Sequence, residues 1–191
     1  FDQICHEHVT YYSLTVFEKI LNKNGLKLID VRLNEINGGS IEIIRSHKKS
    51  QKKVNHKIIN QLKEDELKIK NSAFNNFSKR IYKIKQDLNK FLNSKKNVLG
   101  YGASTKGNVV LNFCKIGSNK IKFISDANNK KFGKFTPGSN IQIISKEKMR
   151  EISPKYLLIL IWPFRKEVIK QELNYIKSGG SLVFHLPKLH I

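Results

Sequence analysis

The sequence is poor in the residues that staple secreted proteins or anchor membrane proteins. It has two cysteines, Cys5 and Cys114, which are too few for a disulfide framework, so we expect a reducing, cytoplasmic location. The longest apolar run covers 156–164, about half of the roughly 20 residues that a membrane-spanning helix needs. No signal-peptide pattern is present. These absences exclude a disulfide scaffold and predict that the chain has no membrane partner.

Acidic residues are also scarce, with 15 against 36 basic ones and a net charge of +21. Residues 1–46 carry a balance of −1, whereas 47–96 and 97–191 carry +11 each. The excess is mostly lysine, and only 9% of residues are aromatic, whereas proteins that read nucleic acids rely on arginine and aromatic platforms. We therefore expect no nucleic-acid partner and an attraction for small anions such as a nucleotide diphosphate. A non-catalytic basic binding module is the alternative.

The hydrophobic pattern of residues 1–46 predicts one helix and two strands. Ser13 is a candidate N-cap for a helix that ends at Asn24-Gly25. Strands are predicted over 26–33 and 40–45, joined by a glycine-containing turn.

Residues 47–93 predict a helical connector with a break at Asn71-Ser72. One apolar stripe runs among its lysines and packs either on neighbouring domains or on a coiled-coil partner. The stripe comprises Val54, Ile58, Leu62, Ile69, Phe74, Phe77, Ile81, Ile84, Leu88 and Leu92.

Residues 94–191 alternate between β-rich runs and helical stretches, which predicts an α/β fold with a doubly wound, Rossmann-like parallel sheet of five strands. The runs are 97–99, 120–125, 140–144, 156–161 and 181–185, with helices at 105–115, 145–151 and 164–177. Ligands bind beyond the carboxyl ends of such strands. The predicted ends are Gly100, Asp126, Ser145, Trp162 and His185.

The first of these strands runs into a glycine loop that precedes a helix. Such loops bring backbone N–H groups close to an anion, and the helix N-terminus adds positive potential. Ser104 or Thr105 can cap the helix, Lys106 can neutralise a phosphate, and Asp126 is placed to bind a ribose. The candidate substrate-binding residues are Gly100, Tyr101, Gly102, Ser104, Thr105, Lys106 and Asp126. A tight turn that needs glycine only for packing is the alternative.

Two nucleotide-binding fingerprints fit this loop only in part. The dinucleotide pattern requires a third glycine where Thr105 stands, and the Walker pattern requires Lys-Ser or Lys-Thr where Asn108 follows Gly107. An NAD(P)-type oxidoreductase domain is therefore a weaker alternative.

The N-terminal residues concentrate His6, Glu7 and His8 beside Cys5. If this stretch is extended, His6 and His8 share one face and could both ligate a metal, but no zinc-type spacing is present, so we expect none. A solvated or structural histidine pair is another alternative. A histidine base oriented by Glu7 is the sharper one.

These residues resemble the signature of the deoxysugar C-methyltransferase family. Phe1-Asp2-x-Ile4-x-His6-Glu7-His8 followed by Tyr11-Tyr12-Ser13-Leu14 is similar to its central motif. Three later segments are similar to motifs of the family's C-terminal half, and Trp162 also fits. They are Gly38-Gly39-Ser40, Tyr101–Gly107 and Thr136-Pro137-Gly138.

The resemblance implies a three-part enzyme that methylates a carbon of a nucleotide-linked keto-deoxysugar. This chain would supply the tail of the S-adenosylmethionine-binding domain (1–46), a connector (47–93) and the Rossmann-like C-terminal domain (94–191). The rest of the methyl-donor pocket and a zinc-binding module would lie upstream, since the sequence starts without methionine. We therefore expect residues 1–191 alone to be inactive.

By the same resemblance His8 is the base that forms an enolate, Glu7 contacts the substrate, and His6 is a weaker candidate. Cys5, Asn37 and Glu42 stand where the family has tyrosine, histidine and arginine. These departures concern residues near the expected substrate.

Overall fold

A computed structural model describes all 191 residues, which divide by their contacts into two compact units. One unit contains 9–77, and the other contains 1–8 together with 78–191. No helix is long and apolar enough to cross a membrane. The three-part division inferred from the sequence remains a prediction, because it concerns domains of a longer protein rather than contacts within this chain.

In the unit formed by 9–77, two helices pack on an antiparallel hairpin. Ser13 caps α1 as predicted, since its side chain accepts a hydrogen bond from the backbone N–H of Val16. Leu14, Leu21, Leu28, Val31 and Ile59 form its core. The elements are α1 (Leu14–Lys23), β1 (Leu26–Asn34), β2 (Ser40–His47) and α2 (His56–Leu67).

The predicted break in the connector lies at 68–70, just before Asn71, and α3 (Asn71–Ser94) follows it. The apolar stripe is buried only in its C-terminal part. Leu88 and Leu92 are fully or almost fully buried, whereas Ile69 and Phe74 are more than half exposed.

Five parallel strands form the sheet of the other unit, in the order β5-β4-β3-β6-β7, which confirms the Rossmann-like doubly wound prediction. They are β3 (Val98–Tyr101), β4 (Phe123–Ser125), β5 (Gln142–Ile144), β6 (Tyr156–Ile159) and β7 (Ser181–Phe184). The helices are α4 (Thr105–Cys114), α5 (Lys146–Ile152), α6 (Arg165–Gln171) and α7 (Leu173–Lys177).

Successive residues of the central strands enter two separate cores, as alternation along a strand requires. Leu158 belongs to the core that α3 and α4 cover. Leu157 and Ile159 belong to the core that contains Met149 of α5 and Val168 of α6. Helices therefore cover both faces, and the carboxyl edge of the sheet is where loops can present functional groups.

Candidate functional site at the carboxyl edge of the sheet

The glycine loop joins the end of β3 to α4, as predicted. Ser104, not Thr105, is the N-cap of α4, and its Oγ accepts a hydrogen bond from the Gly107 N–H at 3.0 Å. Gly102 adopts φ +86°, a conformation that favours glycine. The loop therefore has the strand–turn–helix geometry that the sequence predicts.

Close packing alone requires glycine at three positions of this loop. A Cβ on Gly100 would lie 2.6 Å from Ile124, and one on Gly102 would lie 2.6 Å from Ile161. A Cβ on Gly107 would lie 2.9 Å from the Cβ of Leu160 and would push α4 away from the sheet. The glycines thus bring helix and strands together whether or not a phosphate binds beside them.

Asp126 follows β4 and uses both carboxylate oxygens inside the loop region. It accepts hydrogen bonds from the backbone N–H of Ala103 and of Asn128, each at 2.8 Å. Lys131 Nζ lies 3.2 Å from the same carboxylate and donates to the Ala103 carbonyl at 2.8 Å. In a dinucleotide site the corresponding carboxylate accepts ribose hydroxyls. Here Asp126 holds the glycine loop closed, and sequence reasoning missed its partner Lys131.

A cavity of about 340 Å³ opens between the ends of β3 and β4 and helix α6. The hydroxyl of Ser125 is buried in its wall and makes no hydrogen bond within the chain. Lys146 Nζ lies 3.2 Å from the side-chain oxygen of Gln171 and 5.0 Å from the ring centre of Tyr101. The polar residues that line it are Ser125, Asp126, Lys146, Glu167 and Gln171. This cavity combines a donor, an ammonium group and carboxylates, which suits a polar ligand.

Tyr101 reaches a buried charge behind this cavity. Its hydroxyl donates to Glu172 at 2.9 Å, and Glu172 is fully buried and also paired with Arg150. Burial, and next the hydrogen bond to Glu172, raise the pKa of the Tyr101 phenol well above its usual value. The helical stretch predicted over 164–177 consists of two helices, and Glu172 lies between α6 and α7.

The N-terminal residues form turns, so the extended case considered for this stretch does not apply. The backbone N–H of His8 donates to the Cys5 carbonyl at 3.0 Å, and that of Ile4 donates to the Phe1 carbonyl at 2.9 Å. His8 Nδ1 lies 2.7 Å from the Gln3 carbonyl oxygen. These bonds bend the segment, and period-2 alternation therefore does not set which of its side chains share a face.

Within this turn the reactive side chains are exposed and loosely paired. His6 Nε2 lies 4.0 Å from Glu7 Oε1, and their side chains are 84% and 61% exposed. No group of three His, Cys, Asp or Glu side chains is placed to hold a metal ion. The turn presents His6, Glu7 and His8 outward on the unit that also contains the glycine loop.

Asp2 connects the turn to the sheet in a way the sequence did not reveal. Its carboxylate, with the residue only 3% exposed, accepts a hydrogen bond from Trp162 Nε1 at 2.8 Å. Trp162 follows β6, the strand paired with β3. His185, at the end of β7, is fully buried; burial lowers its pKa to about 4, and the Asp2 carboxylate opposes that shift only in part.

Comparison with known proteins decides the family. Residues 35–187 match the C-methyltransferase C-terminal domain. The chain belongs to this family. It is also 30% identical over 194 aligned residues, 98% of its own length, to C-methyltransferase NovU from Streptomyces niveus. The chain spans 46% of that relative, about half.

Three residues depart from the C-methyltransferase pattern, and for two of them, Asn37 and Glu42, the local structure suits the residue that is present. Asn37 adopts φ 57° within the turn Ile36–Gly38, a conformation that asparagine tolerates better than most residues. Glu42 lies across the hairpin from Arg32, at 4.0 Å, and both side chains are exposed. Cys5 is partly exposed and forms no disulfide.

A C-methyltransferase uses a methyl donor, for which the family implies S-adenosylmethionine. Such a donor binds where a parallel strand enters a glycine loop and a helix. In the unit 9–77 the two strands, β1 and β2, are antiparallel. In the other unit the loop at 100–107 has this form, but Asp126 already occupies its Ala103 N–H. The residues of this chain thus do not form a complete pocket for the donor.

Proposed function

We propose that this chain is the C-terminal part of a methyltransferase that adds a methyl group to a carbon of a nucleotide-linked keto-deoxysugar. S-adenosylmethionine, held mostly by residues outside this chain, would supply an electrophilic methyl group. A zinc-binding module upstream belongs to the same proposal. Similarity to a C-methyltransferase over 98% of the chain supports it, together with the His6-Glu7-His8 turn.

The contact between His8 and Gln3 is the observation that carries the mechanism. With the ring proton on Nδ1, His8 donates to the Gln3 carbonyl at 2.7 Å, and Nε2 is then the basic nitrogen of the ring. His8 then removes the proton next to the sugar ketone, and the electron pair of that C–H bond becomes the enolate. Glu7 contacts a substrate hydroxyl. His6, whose side chain is 84% exposed, is the weaker candidate.

The carboxyl edge of the sheet is the proposed site of the nucleotide diphosphate. Trp162, to which the N-terminal turn is bonded, follows the strand next to the glycine loop, so turn and loop occupy neighbouring strand ends. Ser104, Thr105 and Lys106 at the start of α4 offer donors and a positive charge to phosphate oxygens. The remaining assigned contacts are Gly100, Tyr101, Gly102 and Asp126.

The test is proton exchange at the sugar, measured in the full-length protein without a methyl donor. We expect the carbon-bound hydrogen next to the ketone to exchange with deuterium from D₂O, and His8→Ala to slow this by about 10²–10⁴-fold. His6→Ala is the matched control and should keep most of the exchange. Normal exchange in the His8→Ala protein would remove His8 as the base, and no exchange in the unaltered protein would reject the proposed reaction.

A further inference from the structure

Residues 1–8 belong by their contacts to the unit of the glycine loop, although 9–77 form a separate unit. Two side chains account for this. The Phe1 ring packs against Phe113 of α4, with ring centres 5.5 Å apart. The Asp2 carboxylate accepts the Trp162 indole N–H at 2.8 Å, across 160 positions of sequence. The turn is therefore attached to the Rossmann-like sheet at its first two residues.

The bond between Asp2 and Trp162 is shielded from water. Asp2 is 3% exposed, and a carboxylate so deeply buried requires donors to replace its hydration. The neighbouring His185 does not provide a counter-charge at neutral pH, because burial keeps it in its neutral form. The indole N–H of Trp162 thus provides a directed side-chain donor that a hydrophobic contact would not replace.

A short series of hydrogen bonds to the backbone connects Asp2 with His8, the proposed base. Gln3 directly follows Asp2, and its carbonyl accepts both the Cys5 N–H at 3.0 Å and a hydrogen bond from His8 Nδ1 at 2.7 Å. The His8 N–H in turn donates to the Cys5 carbonyl. Orientation of the His8 ring therefore depends on where Asp2 places the Gln3 carbonyl.

We propose that Asp2 and Trp162 are a pair of positioning residues that fix the His6-Glu7-His8 turn to the nucleotide-sugar domain. This inference rests on the proposed function, since it concerns the orientation of the base in that reaction. A base that is misplaced by about 1 Å can lose about 10²-fold in rate, and substrate affinity does not depend on its position in the same way. The pair thus acts on turnover through His8 and touches neither substrate nor donor.

The experiment uses Asp2→Ala, Asp2→Asn and Trp162→Phe in the full-length protein, with deuterium exchange at the sugar as the readout. We expect Asp2→Ala and Trp162→Phe to lower kcat for exchange by about 10- to 100-fold, with KM changed by less than about twofold. Asp2→Asn should retain most of the rate, because its amide oxygen still accepts the indole N–H. The double variant Asp2→Ala with Trp162→Phe should be no slower than either single variant.

Tyr175→Phe is the matched control, because it removes one hydrogen bond of similar length, from the Tyr175 hydroxyl to the Pro154 carbonyl, away from the turn. Unchanged kcat in Asp2→Ala would overturn the pair while His8→Ala still supports the proposed function. A rise in KM without loss of kcat, or equal loss in Tyr175→Phe, would also overturn it by indicating general destabilisation. Absence of exchange in the unaltered protein would overturn both proposals.

Discussion

The glycine loop at 100–107 and the N-terminal turn at 1–8 both carry groups suited to chemistry, but the fold uses them differently. In the loop region Asp126 and Ser104 are bonded to backbone N–H groups, and Tyr101 is bonded to Glu172. In the turn, the side chains of His6 and Glu7 are mostly exposed. The comparison teaches that polar groups in the loop region stabilise the fold, whereas the exposed His6 and Glu7 of the turn do little for stability and are kept available.

The largest loss of stability is expected at Glu172, the buried residue to which Tyr101 of the loop is bonded. Arg150→Met leaves Glu172 buried without its cation, so we expect the free energy of unfolding to fall by about 3 kcal/mol. Urea unfolding measures this, and Arg165→Met, at an exposed position, is the matched control. A change below about 1 kcal/mol would show that Tyr101 alone satisfies Glu172 and would weaken the contrast between the two regions.

A pH effect of similar size is expected at His185, which lies near Asp2 of the turn. Its pKa is about 4 in the folded chain and near 6.5 when unfolded, so between these values the unfolded chain binds more protons. The contribution of neutral His185 to the free energy of unfolding is therefore fully present above pH 6.5. The free energy of unfolding falls by about 3 kcal/mol as the pH drops to 4. Two neighbouring groups also act on the pKa of His185. The Asp2 carboxylate raises it, whereas His190 lowers it further.

Unfolding measured between pH 4 and 7 tests this dependence, with His185→Gln as the variant. The variant should lose most of the slope, because glutamine does not titrate. If the free energy of unfolding of His185→Gln still falls between pH 7 and 4, the acid sensitivity comes from carboxylates elsewhere and not from His185.

Patterns that repeat along the chain made the sheet predictable. Each strand of 94–191 is a short apolar run bounded by turn residues, which is typical of a strand buried on both faces. The strand ends were therefore located to within about three residues, and Gly100 and Asp126 were placed at the correct edge. Residue type narrowed the cap of α4 to Ser104 or Thr105, and the structure has Ser104.

Contacts between distant residues were not predictable in the same way. Asp2 and Trp162 are 160 positions apart, and no periodicity relates them. The partner of Asp126, Lys131, lies on a loop whose path depends on the Asx turn at Asn128. Glu172 lies between α6 and α7, and its carboxylate is bonded to Tyr101 and Arg150, which only the assembled fold brings near.

A smaller effect is expected from packing in the glycine loop. Gly102→Ala and Gly133→Ala both place alanine at positive φ, 86° and 76°, but only the former meets a neighbour, Ile161 at 2.6 Å. We expect Gly102→Ala to be less stable than Gly133→Ala by about 2 kcal/mol, from overpacking alone. Thermal or urea unfolding of both variants measures the difference. Equal losses would mean that backbone strain, not packing, requires glycine in the loop.

The smallest effect on stability is expected in the N-terminal turn, in contrast to the glycine loop. His6→Ala removes a side chain that is 84% exposed and only loosely paired with Glu7, so the free energy of unfolding should change by less than about 0.5 kcal/mol. Urea unfolding of His6→Ala beside Gly102→Ala measures both regions under one condition. A loss near 2 kcal/mol in His6→Ala would show that the turn, like the loop, uses its polar groups to hold the fold. Their exposure would then no longer argue that they are kept available for chemistry.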